Sequence, residues 1–261
     1  MKICTACYRC FEDTAVLCPQ ENYNSLVAAR SGSCEVAAGY RLERLLERDA
    51  FGETYQAARI NSNESFAIRF FAADSKSESP NKSESVSSEM QAAARINHPN
   101  VNRVIESGAT ENGEFYVVTE LIGGDNVRDF LRSVGSLSET AAIIIARQIA
   151  EGLEATHRAG VIHRGVSLAN IVLTGNETNP LAVKLCNFDF GGFRQRAVVA
   201  DISDANPQID ILRYLSPEQC ASQTVNERTD IYSLGVAFYE MLTGRSPFDP
   251  TLEAIVHKQI N

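Results

Sequence analysis

At 261 residues, 44% of them apolar, the chain has room for one large domain and a small appendage. No window approaches the ~18 unbroken apolar residues of a membrane span. The start, Met1-Lys2-Ile3-Cys4, lacks the apolar run of a secretory signal. A net charge of −9 repels phosphates, which argues against broad nucleic-acid or anionic-membrane binding. A cytoplasmic protein without a nucleic-acid partner is expected.

Four of the seven cysteines, Cys4, Cys7, Cys10 and Cys18, crowd the first residues, while Cys34, Cys186 and Cys220 are scattered. Scattered single thiols in such a domain are usually small buried hydrophobes. The front segment is too rich in thiols and too poor in apolar residues to fold around a core of its own, so a metal or disulfides must order it. A C-x-x-C turn points two thiolates at one ion, and tetrahedral zinc takes four such soft ligands. Residues 1–26 resemble half of a zinc ribbon whose second C-x-x-C is reduced to Cys18-x-x-Glu21. Cys4, Cys7 and Cys18 are the expected ligands, with Cys10 as fourth and Glu21 as fallback. A redox-active or disordered thiol-rich tail is the alternative. Residues 27–39, small and polar with Ser31-Gly32-Ser33, read as a linker.

From Tyr40 the pattern turns to alternating runs. Tyr40 to Leu46 and Thr54 to Ala58 read as two strands around Glu47-Arg48-Asp49-Ala50-Phe51-Gly52. That turn resembles the glycine-rich loop of protein kinases, G-x-G-x-F-G, with only Phe51 and Gly52 kept. The first two glycines of such a loop let backbone N–H groups approach nucleotide phosphates. Here those positions carry carboxylates. Even at an effective dielectric of ~20, a carboxylate ~5 Å from a phosphate charge costs about 3 kcal/mol before screening. Phe66-Ala67-Ile68-Arg69 resembles the V-A-I-K strand, with Arg69 where the resemblance implies a phosphate-pairing Lys. Arg is a wide planar fork in place of a compact ammonium. The serine-rich run Asp74 to Ser88 reads as a solvated loop, followed by a helix from Ser87 to Ile96. Counting back from His98-Pro99-Asn100 puts Glu89 at the family's helix-C glutamate, so an Arg69–Glu89 ion pair is expected. Val101 to Ser107 and Glu114 to Leu121 complete the sheet around Glu111-Asn112-Gly113. The resemblance places Thr119 at the gatekeeper and Glu120-Leu121-Ile122 at the hinge, where an adenine would meet the backbone.

Ser136-Leu137-Ser138-Glu139 resembles a capping box, and Ala142, Ile145, Ile149, Leu153 and Thr156 mark one buried stripe of a long helix ending before Gly160. Val161-Ile162-His163-Arg164-Gly165-Val166-Ser167-Leu168-Ala169-Asn170 follows, with an apolar Ile171-Val172-Leu173 exit. It resembles the kinase catalytic loop, H-R-D-L-x-x-x-N. His163, Arg164 and Asn170 match. The catalytic Asp is Gly165 and the following Lys is Ser167. Two placements of the D-F-G motif remain. Either Asp189-Phe190-Gly191 binds magnesium after a two-residue slip, or Asn187-Phe188-Asp189 is the degraded motif. The spacing from Lys184 favours the second. A neutral Asn holds Mg²⁺ more weakly than a carboxylate.

Gly192 to Asp210 stands where the activation segment belongs. Tyr214-Leu215-Ser216-Pro217-Glu218 keeps the tail of G-T-P-x-Y-x-[SA]-P-E, with Ile211-Leu212 in place of its Thr-Pro. Asp230-Ile231-Tyr232-Ser233-Leu234-Gly235 matches the start of the family's F-helix, which is apolar nearly all round as a buried helix should be. Leu252 to Ile260 is a last helical pattern. The resemblance implies an α+β, two-lobed protein-kinase-like fold of the bacterial Hanks serine/threonine class. Its expected parts are a β-rich N-lobe at 40–118, a hinge at 119–124 and a helical C-lobe at 125–261 without its last helices. General-base catalysis is typically worth about 3–5 kcal/mol of barrier. The expectation is a pseudokinase working as a regulatory or scaffold module through protein partners, with weak ATP and magnesium binding at most. An active serine/threonine kinase with relocated residues is the alternative.

Overall fold

The computed structural model describes residues 1–20, 26–29, 35–36, 39–49, 52–62, 64–71, 80–110, 113–192 and 212–248. Glu21, the serine run before Pro80, the expected activation segment up to Ile211 and the helical pattern after Leu252 lie outside them. The chain divides into two compact units, Met1–Pro80 with Val104–Leu121, and Asn81–Arg103 with Ile122–Asn261.

In the first unit, β1 (Lys2–Cys4) is the middle strand of a small antiparallel sheet, flanked by β2 (Cys10–Phe11) and β3 (Leu26–Ala28). The larger sheet is built from β4 (Glu35–Val36), β5 (Tyr40–Asp49), β6 (Gly52–Arg59), β7 (Ser65–Phe71), β8 (Val104–Ala109) and β9 (Phe115–Glu120). Its order is β4-β5-β6-β7-β9-β8, every neighbour antiparallel. Within the expected linker, the described residues 27–28 and 35–36 are strand. The apolar Leu26-Val27-Ala28 pairs with β1 and satisfies backbone groups that Lys2–Cys4 would otherwise leave open, and Glu35–Val36 pairs with the start of β5. Nor is the cysteine segment a separate bead. Met1 and Ile3 are buried in one core with Tyr40, Leu42, Tyr55, Ala57, Ile68, Phe70, Tyr116 and Val118. Each such apolar side chain contributes roughly 1.5–3 kcal/mol by leaving water. The segment folds because it borrows the neighbouring sheet's core.

The hairpin strands run further than their apolar alternation suggests, β5 reaching Asp49 and β6 starting at Gly52. A Cβ on Gly52 would lie 1.9 Å from the Phe70 carbonyl oxygen, so strand packing alone requires glycine there.

The second unit holds α1 (Pro80–Ala93), α2 (Val127–Val134), α3 (Glu139–Arg158), α4 (Pro217–Cys220) and α5 (Glu227–Thr243), with a two-stranded ribbon of β10 (Ile171–Leu173) and β11 (Val183–Leu185). Helix α1 starts seven residues earlier than Ser87 and clusters with this unit rather than with the expected N-lobe. Its side chain Glu89 is bonded there, and Asn100 and Asn102 tie the following turn to β11. In α3 the stripe Ala142, Ile145, Ile149, Leu153 and Thr156 is buried as its spacing predicts. The cap is Ser138, accepting from the Ala141 amide, not a box opened by Ser136. Helix α5 buries Asp230, Ser233, Leu234, Val236, Ala237 and Met241, but Ile231 and Tyr239 are exposed, so it is one-sided among the described residues. Among those residues no helix is long and apolar enough to cross a membrane.

Candidate functional site

The catalytic-loop stretch hangs from one carboxylate. Asp230 in α5 is fully buried and accepts from the backbone N–H of His163 at 2.9 Å and of Arg164 at 2.8 Å, with His157 Nε2 at 2.7 Å. Those two amides fix a bend that leaves Arg164 at φ 58°, a cost the buried anion offsets. His163 is fully buried: its Nδ1 accepts from the Gly165 amide at 3.2 Å and its Nε2 lies 3.0 Å from the Cys186 carbonyl. Its ring packs on Phe188 at 4.5 Å. This histidine orders the loop and presents no face to a substrate.

Around Gly165 the hydrogen-bonding partners are carboxamides. The Asn170 side-chain amide donates to the Gly165 carbonyl at 2.7 Å, and its oxygen accepts from Asn187 Nδ2 at 3.0 Å. Both faces of the Asn170 carboxamide are thus engaged inside the protein. Asn187 sits at φ 61°. A cavity of about 10 Å³ is lined by Arg164, Gly165, Val166, Ser167, Asn170, Tyr214, Leu215 and Ser233. It has room for about one water, and among the described residues no carboxylate lines it. Asp189 is 1% exposed, its amide donates to the His163 carbonyl at 3.0 Å, and the rings of its chain neighbours Phe188 and Phe190 stack on each other at 5.3 Å. Glu89 pairs with the Arg164 guanidinium and accepts from the Gly191 amide at 2.8 Å.

In the first unit, Arg69 is 6% exposed and surrounded by acids. Its Nη2 donates to both Asp49 carboxylate oxygens at 2.9 and 2.7 Å, its Nη1 donates to Thr54 Oγ1 at 3.0 Å, and Nη1 lies 3.6 Å from Glu47. Arg69 and Glu89, expected as a pair, each have partners within their own unit. The register explains why, since Arg69 stands opposite Thr54 and Thr54 opposite Glu47 across three strands. Ala67 stands opposite Thr119 on β9, Glu120 closes that strand, and Ile122 opens the second unit.

Cys4, Cys7 and Cys18 form a cluster whose Sγ atoms lie within 4.8 Å of one another. The Cys7 and Cys18 sulfurs are 3.6 Å apart. The Tyr8 amide donates to the Cys4 carbonyl at 2.9 Å, folding the C-x-x-C turn. Burial and the neighbouring Cys4 and Cys18 thiols push the Cys7 thiol above its ordinary value. Soft thiol donors suit zinc among divalent metals, and the described residues bring together three of the four expected. Cys10, expected as fourth ligand, is outside the cluster; it lies on β2 against the sheet core, because strand alternation turns it toward Ile3's side.

A protein kinase domain model matches residues 40–261. The chain belongs to the protein kinase family. The kinase PknB of Mycolicibacterium smegmatis is 34% identical over 213 residues, which are 80% of this chain and 33% of that protein. The kinase pkn3 of Myxococcus xanthus is 27% identical over 221 residues, 82% of this chain and 39% of that protein. The PknI kinase domain of Mycobacterium tuberculosis superposes with a TM-score of 0.64 at 23% identity, covering 87% of this chain and 82% of that one, a likeness of fold. The chain spans about a third of the length of the curated relatives it matches. The kinase fold here is a β-sheet lobe and a helical lobe, the sheet lobe carrying the thiol cluster.

What the pattern of substitutions left unsaid is where the freed groups go. Asp49 as the partner of Arg69, Arg164 as the partner of Glu89, and the Asn170–Asn187 amide pair are structural findings. Only the first had a signal in the chain: hairpin register sets Glu47 and Asp49 near Arg69.

Proposed function

We propose that this kinase-fold chain is a pseudokinase, a regulatory or scaffold module in which phosphoryl transfer is weak or absent. The observation that carries the reading is that position 165 is a glycine and that, among the described residues, no carboxylate lines the small cavity beside it. Removing the general base costs about 3–5 kcal/mol of barrier. Further losses add to it. Asn187 and Asn170 spend their amides on each other, where magnesium needs anionic oxygen. Asp49 and Glu47 already neutralise Arg69, the cation for the nucleotide phosphates. In this reading Gly52 only packs, and ATP binds weakly if at all. Zinc at Cys4, Cys7 and Cys18 is the metal of the cytoplasmic protein, and protein partners meet the lobe surfaces.

One observation favours a second reading, an active serine/threonine kinase. Asp189 is a buried carboxylate two residues from Asn187, and the relatives are named as kinases. Transfer from labelled ATP to a generic protein substrate separates the two. Wild type and Gly165→Asp are expected to show less than ~1% of an ordinary kinase turnover of 1–100 s⁻¹. Wild-type turnover within that range would end the pseudokinase reading.

A further inference from the structure

The thiol cluster is more than an attached module. Cys4 ends β1, and the residue before it, Ile3, is 2% exposed in the core of the six-stranded sheet. The turn between Cys7 and Cys10 then grips β5 directly. The Tyr8 carbonyl accepts from the Leu45 amide at 2.8 Å, and Arg9 bridges Arg44. These contacts fall where β5 breaks register with β6, at the irregularities between Leu42 and Arg44 and between Leu45 and Glu47. A bulge leaves an amide that its own ladder does not satisfy, and the cysteine turn supplies the acceptor. Immediately beyond lie Glu47 and Asp49, the carboxylates that hold Arg69. One strand therefore connects the thiols to the acid-capped arginine.

We propose that metal occupancy of Cys4, Cys7 and Cys18 controls the packing of the kinase sheet, bracing the β5 bulge and through it the acidic hairpin on Arg69. The proposal rests on the zinc reading given above. Backbone hydrogen bonds fold the turn, and the Cys7 and Cys18 sulfurs lie 3.6 Å apart; a thiophilic divalent ion held by Cys4, Cys7 and Cys18 would add a cross-link that fixes Tyr8. Whatever stiffens Tyr8 stiffens Leu45. By linkage, the reverse holds as well: loosening the sheet core must weaken metal binding by the same factor.

Hydrogen–deuterium exchange on the full reduced chain tests this, with one equivalent of zinc and after stripping by a chelator. Stripping is expected to speed exchange of Tyr40–Asp49 amides at least tenfold, while α3 amides stay unchanged as the internal control. A second measurement uses Ile3→Ala, which leaves every thiol in place. Its zinc affinity, read by competition with a chromophoric chelator, is expected to fall at least fivefold. If zinc binds one to one but neither β5 exchange nor the Ile3→Ala affinity changes, the bracing proposal fails and the zinc reading stands. If the reduced chain binds no zinc, both fall together. Global loss of α3 protection on stripping would also overturn the proposal, since the effect would not be confined to the sheet.

Discussion

Two buried charges, Asp230 on α5 and Arg69 on β7, show opposite uses of the same kinase inheritance. Asp230 is a bare carboxylate whose partners are two backbone amides and a histidine. It spends its charge on the shape of a loop. Arg69 is a cation whose partners include two side-chain carboxylates and a hydroxyl from the neighbouring β5–β6 hairpin. Its charge is consumed before any ligand arrives. Where this chain keeps a family residue, that residue holds backbone. Where it departs, at Arg69 and Asn187, the new side chains take side-chain partners inside the protein.

The contrast breaks most visibly at Asp230. Asp230→Ala strands two buried amides, so it is expected to cost about 3–5 kcal/mol, or to prevent folding of the helical unit, in urea unfolding. A loss below ~1 kcal/mol would mean the loop has other anchors. The arginine side should behave differently. Glu47→Gln with Asp49→Asn leaves Arg69 a buried cation and is expected to cost about 2–3 kcal/mol, discounted for the part-exposed hairpin. Unlike the Asp230 loss, part of it should return on adding pyrophosphate or ATP, with a thermal shift that wild type lacks. An equal shift in wild type would show that the hairpin carboxylates do not block the site.

Much of this was legible in the chain. The stripe of α3, the Asp230 position and the His163-to-Asn170 loop are patterns of local spacing, and local spacing survives folding. What escaped were choices between partners. Nothing in the spacing says whether Glu89 takes Arg69 or Arg164, because both are guanidinium donors and only three-dimensional placement decides. The cysteine segment was misjudged for a related reason. Met1 and Ile3 are too few to make a core, and the sequence does not show that they share another sheet's. Cys10 followed from thiol density, yet strand alternation assigns it to packing.

A second scaffold carboxylate sharpens the comparison by pH. Burial alone would raise Glu218, but the Thr229 hydroxyl at 2.5 Å, its own backbone amide and Ser216 outweigh that and hold it below the ordinary carboxylate range. Its contribution to stability is therefore full above the ordinary carboxylate pKa and is lost as pH falls through the lowered value. Thr229→Val should remove about 1–2 kcal/mol near neutrality and move the acid-unfolding midpoint upward. An unchanged midpoint would place Glu218 outside the scaffold class that Asp230 defines.

The finest test asks whether the chemistry side can be reopened at one atom pair. Asn187 donates to Asn170, and Asn170 in turn donates to Gly165. Asn187→Asp replaces the donor with an acceptor facing the Asn170 oxygen. Either the two oxygens repel, or Asn170 flips to donate to the new carboxylate and abandons the Gly165 carbonyl. Both outcomes remove one hydrogen bond, so the variant should lose about 1 kcal/mol in metal-free buffer. Magnesium should then restore what wild type never gains, because a hard divalent ion bridges a carboxylate and a carboxamide oxygen but is held poorly by two amides. The readout is the difference in unfolding midpoint with and without millimolar Mg²⁺, variant against wild type. If Asn187→Asp shows no magnesium dependence while Asp189→Asn removes one already present in wild type, then Asp189 is the metal residue, the amide pair is incidental, and the chain retains more of its kinase chemistry than Gly165 implies.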